Sequence, residues 1–200
     1  MRLILFTGFL GSGKTTALLS LAACLNRDLP PKSIAIIENE IGAANVDGLL
    51  LAQSSYEVRD LTQGCICCTL TGQLLQALEE IERDIQPRYL LVEATGLAHR
   101  TIAEIIAASR PGRRPFSIAL ADASRWPELM DALPMLISSQ LAQADLILIN
   151  KAETASEEEL TRLENDLLEI NLTVPRRRLS AENDDLDDFW RKVVTDVFVD

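Results

Sequence analysis

Leu3-Ile4-Leu5-Phe6-Thr7-Gly8-Phe9-Leu10-Gly11-Ser12-Gly13-Lys14-Thr15-Thr16-Ala17-Leu18-Leu19 carries three signals in succession: an apolar run, a glycine-rich turn ending in Lys-Thr, and a second apolar run. They read as a strand, a tight loop and the start of a helix. A triphosphate needs several donors at once, and a loop with Gly8, Gly11 and Gly13 lets successive backbone N–H groups, including those at Ser12 and Thr16, come close enough to supply them. Lys14 adds a positive charge near the β- and γ-phosphates, and the Thr15 hydroxyl is placed to ligate the Mg²⁺ that bridges them. A G-x-x-x-x-G-K-T match between a strand and a helix therefore predicts a P-loop nucleotide site.

Outward from this loop, strands and helices alternate. Thr16 to about Arg27 reads as a helix that Pro30-Pro31 brings to a stop, and Ser33-Ile34-Ala35-Ile36-Ile37 as a strand. Further strands are expected at Tyr89–Glu93, Phe116–Leu120 and Asp145–Ile149, with a short edge strand at Val58–Leu61. Their apolar runs are nearly continuous, as in parallel strands covered on both faces. Helices are expected behind Thr69 up to Pro87, at Ile102–Ser109, from Met135 to about Gln143, at Glu157–Ile170 with Ser156 and Glu159 as its capping box, and from Phe189-Trp190 onward. The pattern predicts an α/β chain with a P-loop three-layer fold, a mostly parallel sheet, and one domain over residues 1–200.

Composition narrows the function. A hydrophobic share of 48% with 24% charged residues suits a globular chain, and no apolar run reaches the roughly 18 residues of a membrane span. The formal charge of -11 disfavours nucleic acid, whose phosphates demand excess Lys and Arg. Arg176-Arg177-Arg178 is too short to reverse that and reads as the solvated entrance of a strand. No membrane partner and a cytoplasmic location are expected.

Three of the four cysteines sit in Cys65-Ile66-Cys67-Cys68, at the amino end of an expected helix whose dipole favours thiolates. An incomplete ligand set of this kind suits a site that loads and releases a thiophilic ion; a redox pair is the competing reading. Cys24, among Leu21, Ala22 and Leu25, is expected to be a packed core thiol. Glu93-Ala94-Thr95-Gly96 ends a strand where P-loop proteins keep an acid near Mg²⁺ and a glycine at the γ-phosphate. Asn150-Lys151-Ala152-Glu153 is similar to the N-K-x-D box that recognises guanine through its N1–H and exocyclic amine, with Glu in place of Asp. Ser180-Ala181 matches the later loop whose backbone meets the guanine oxygen.

With Glu38-Asn39-Glu40-Ile41-Gly42 and Asp47, these stretches resemble the CobW-like family of P-loop GTPases, relatives of the nickel-insertion GTPases of urease and hydrogenase. The resemblance implies a metallochaperone that binds GTP or GDP with Mg²⁺, held by Thr15 and, through water, by Glu93. It implies a transition metal, zinc or cobalt, on Cys65, Cys67, Cys68 and Glu40, and a metalloenzyme client. His99 stands where many members have proline, and an exposed loop position is expected for it rather than a fourth ligand. The carboxyl-terminal domain common in the family is expected to be missing. A homodimer sharing metal across two thiol clusters stays open, as do a small-molecule kinase and a non-catalytic, nucleotide-responsive metal buffer.

Overall fold

The computed structural model describes residues 1–38, 57–60, 69–94, 99–109, 114–180 and 185–197. Among them, β1 (Arg2–Gly8), β2 (Ile34–Glu38), β3 (Glu57–Asp60), β4 (Tyr89–Glu93), β5 (Phe116–Asp122), β6 (Leu146–Asn150) and β7 (Arg176–Leu179) form one sheet in the order β3-β2-β4-β1-β5-β6-β7. Every pairing is parallel. The helices are α1 (Lys14–Asn26), α2 (Thr69–Glu80, prolonged by a π turn over Ile81–Ile85), α3 (His99–Ser109), α4 (Trp126–Ala132), α5 (Pro134–Leu141), α6 (Glu157–Ile170) and α7 (Leu186–Val197).

Side chains alternate across a strand, so each strand feeds both faces of the sheet. Ile4 and Phe6 of β1 point to the face covered by α1 and α7, where Leu18, Leu21 and Trp190 close a single core. Leu3 and Leu5 point the other way, into a cluster with α2 and α3. A third cluster on that second face joins β5 and β6 to α4, α5 and α6 through Trp126, Ile137, Leu160 and Leu163. Between the second and third clusters the sheet turns polar at Thr7 and Ser117, which with Gln140 of α5 line a cleft of about 650 Å³ with Ala103 and Ala107 of α3 on one wall.

Most expected elements are present within a few residues. Three details differ. Arg176–Leu179 is itself a strand, β7, rather than a strand's solvated entrance. It ends the sheet, so only Leu179 is buried, and Arg178 is satisfied by Glu157 and Glu164 of α6 at 2.8 Å each. Helix α4 stands where no element was expected; its Trp126-Pro127 start matches proline's preference for a helix's first turn, but its seven residues are too short for a clear period. His99 opens α3 instead of lying in a loop. Of the stretch Glu38-Asn39-Glu40-Ile41-Gly42 and Asp47, all but Glu38 lies outside the described residues.

Candidate functional site

The carboxyl ends of β1, β4, β5 and β6 converge. Phe6 pairs with Glu93, Gly8 with Leu120, and Asp122 with Asn150, so the phosphate loop, Glu93, Asp122 and the Asn150 turn share one edge of the sheet. Open parallel sheets place ligands at this edge.

The loop's glycines are there for geometric reasons. Gly8, Gly11 and Gly13 have φ of 142°, 75° and 90°, a region that side chains disfavour. A Cβ on Gly8 would sit 2.8 Å from the Leu120 carbonyl oxygen, and one on Gly13 would fall on the Asn150 side-chain nitrogen. Lys14 and Thr15 follow as the first residues of α1, and Thr16 lies exposed beside them, so the loop runs directly into the amino end of that helix.

A hydroxyl and an ammonium meet at Glu93. The Thr15 hydroxyl donates to Glu93 Oε2 at 2.9 Å, and Lys14 Nζ lies 3.8 Å from Oε1 while donating to the Phe9 carbonyl at 3.2 Å. Lys14 and Glu93 are 6% and 5% exposed, a burial offset by their pairing together with the Thr15 and Phe9 hydrogen bonds. A hydroxyl and a carboxylate held together, with a lysine beside them, are the hard oxygen donors that Mg²⁺ takes. The residues fit that ion.

The base side is tied to the same loop. Asn150 Nδ2 donates to the Ser12 carbonyl at 2.8 Å, both residues being buried. Asn150 Oδ1 and Ser12 Oγ are buried without a hydrogen-bond partner among the described residues. Lys151 sits at φ 59° and sends its ammonium to Asp122 Oδ2 at 2.9 Å. Glu153 lies exposed in the following 3-10 turn, and Asn150 pairs with Leu179, which brings buried Ser180 beside the box.

Asp122, Ser124 and Arg125 were not singled out in the sequence. Asp122 ends an apolar strand, a signal shared with Glu93, but its partner Lys151, like the Leu10 carbonyl that Arg125 reaches, is too remote in sequence to be seen. Burial pushes its carboxyl up, yet hydrogen bonds from Ser124, Lys151 and Arg125 outweigh that and hold it below the ordinary carboxylate value.

Gly96, Ala181, Glu40, Cys65, Cys67 and Cys68 lie outside the described residues. Among the described residues no group of three or more His, Cys, Asp or Glu side chains could hold a metal ion, and no helix is long and apolar enough to cross a membrane. Cys24 is buried, as expected.

Residues 2–176 match the family described as CobW/HypB/UreG, nucleotide-binding domain. The chain belongs to this family. Among its CobW/HypB/UreG relatives, the zinc chaperone YjiA of Escherichia coli K12 is 35% identical over 181 residues, covering 86% of this chain and 55% of YjiA. The zinc chaperone YeiR of the same organism is 34% identical over 160 residues, covering 77% and 47%. The chain thus spans about half the length of these curated CobW/HypB/UreG relatives. The crystal structure of Zn(II)-bound YjiA GTPase from E. coli superposes with a TM-score of 0.61 at 28% identity, covering 88% of this chain and 57% of that one.

Proposed function

We propose that the chain is the GTP-binding and GTP-hydrolysing domain, over residues 1–200, of a zinc metallochaperone. The observation that carries this is the meeting of Lys14, Thr15 and Glu93 beside an asparagine that is bonded to the phosphate loop. Gly8, Gly11, Ser12, Gly13 and Thr16 offer backbone donors to the phosphates, and Lys14 stabilises charge on them. Thr15, with Glu93 through water, would hold Mg²⁺, which neutralises the developing charge when bound. Asn150, Lys151, Glu153, Ser180 and Ala181 receive guanine, and Gly96 meets the γ-phosphate. The reaction is transfer of the γ-phosphoryl group to water, giving GDP and phosphate, and its intrinsic rate is slow.

The cargo is a thiophilic ion, zinc or cobalt, carried by Cys65, Cys67, Cys68 and Glu40 to a metalloenzyme client. The zinc chaperone relatives support zinc. Nucleotide and metal affinities are coupled, so each raises or lowers the other by the same factor. The test is a zinc and cobalt(II) titration of the reduced protein with and without Mg²⁺ and a non-hydrolysable GTP analogue, repeated with Cys67→Ala. Tight binding that shifts with nucleotide and is lost in the variant supports the reading. Equal metal affinity in all conditions sinks the coupling.

A further inference from the structure

Asp122 and Arg125 belong to neither the phosphate loop nor the base box, yet they join the two. Asp122 Oδ2 accepts from Lys151 Nζ at 2.9 Å and from Arg125 Nε and Nη2 at 3.1 and 3.0 Å. One oxygen therefore serves a cation of the base box and a second cation outside it. The same Arg125 Nη2 donates to the Leu10 carbonyl at 2.6 Å, and the guanidinium lies 5.7 Å over the Phe9 ring. Arg125 thus holds the outer half of the phosphate loop while Asn150 holds the inner half at Ser12.

The carboxylate has no freedom to favour one cation at no cost to the other. Its side chain is 0% exposed, and Oδ1 is occupied by the Ser124 amide and hydroxyl at 3.2 and 2.6 Å. Charge-assisted bonds in such a site are stronger than at the surface, and bonds that share an acceptor depend on each other. Lys151 meanwhile occupies a left-handed backbone state that non-glycine residues disfavour. The Asn150–Glu153 turn is therefore itself held under strain.

We propose that Asp122 and Arg125 are positioning residues that make the geometry of the phosphate loop answer to the identity of the base. A base seated on the Asn150–Glu153 turn sets the position of Lys151. Lys151 sets the share of Asp122 Oδ2 left to Arg125, and Arg125 sets Leu10 and Gly11, whose Cβ position is 3.4 Å from its guanidinium. Base recognition then reaches the rate of phosphoryl transfer and not only affinity. Because the inference rests on guanine-nucleotide hydrolysis at the site proposed above, its test compares GTP with ITP, which lacks the exocyclic amine.

Steady-state kcat and KM are measured for both nucleotides in the wild type, Arg125→Ala and Arg125→Lys, with thermal melting to confirm folding. In the wild type, ITP lowers kcat as well as raising KM. In Arg125→Ala, kcat for GTP falls roughly tenfold, the size of a lost hydrogen bond to a charged group, to the ITP value. The KM preference for GTP persists. Arg125→Lys behaves like the alanine variant, because an ammonium cannot span Asp122 and the Leu10 carbonyl as the planar guanidinium does. An unchanged GTP-to-ITP ratio of kcat in Arg125→Ala overturns the proposal, since a purely structural loss slows both nucleotides alike. Equal wild-type kcat for the two overturns it also and leaves the GTPase reading intact, whereas no hydrolysis of either overturns both.

Discussion

Gly13 lies under the Asn150 side chain, where a Cβ would meet its nitrogen, and so limits what the site tolerates. Its φ of 90° and the position of Asn150 leave no room for a Cβ. Gly13→Ala is therefore expected to cost more than the roughly 1–2 kcal/mol of a left-handed alanine and to abolish binding of a fluorescent GDP analogue, read by titration beside a melting curve. Asp122 gives a pH signature. Its folded value lies below that of the unfolded chain, so the stability it supplies is complete above about pH 4 and is lost as pH falls through the folded value. Urea unfolding of Asp122→Asn should show lower stability at neutral pH and a shallower loss on acidification; parallel curves for variant and wild type would contradict this. Burial, reinforced by Asp187, pushes the Cys24 thiol up. In a Cys65, Cys67 and Cys68 to serine variant, Cys24 should resist alkylation in the native state and react only on unfolding.

Among the elements, α1 matters most, since it starts at Lys14 and its far side supports α7. Trp190 is fully buried there; its indole donates to Ser20 Oγ at 2.6 Å, and its ring stands edge-on to Phe6 at 6.3 Å. Trp190→Ala is expected to cost about 3–5 kcal/mol in denaturant unfolding, a large share of a domain's usual stability, with the phosphate loop weakened through α1. Ser156→Ala provides the contrast. The capping box with Glu159 begins α6 at its exposed end, so its loss should cost about 1 kcal/mol and leave nucleotide affinity alone. Elements whose burial writes itself as an unbroken apolar run, such as β4 and β6, were legible in the sequence, and so was the capping box. β7 was not, because an edge strand of arginines buries only Leu179, and α4 was not, because seven residues hold too little period. At the site, Lys14, Thr15, Glu93 and Asn150 were legible because each belongs to a local motif. Arg125 was hidden, since its role comes from Leu10 and Lys151, which the chain brings near only on folding.

Across the whole molecule, among the described residues, one face of the sheet has a continuous core and the other does not. α1 and α7 share a single cluster, while α2 with α3 and α4 with α5 and α6 form separate ones on either side of the Thr7, Ser117 and Gln140 cleft. Dense apolar packing moves as a block, and a polar break is where two blocks can part. The second face therefore has a mechanical seam. α3 lines one wall of that seam, so nucleotide binding at the carboxylate beside Lys14 and Thr15 is expected to change the width of the seam and to unfold neither block. Amide exchange should report it as faster exchange along the seam edge of α3 that slows on nucleotide addition, with α1 and β1 unchanged throughout.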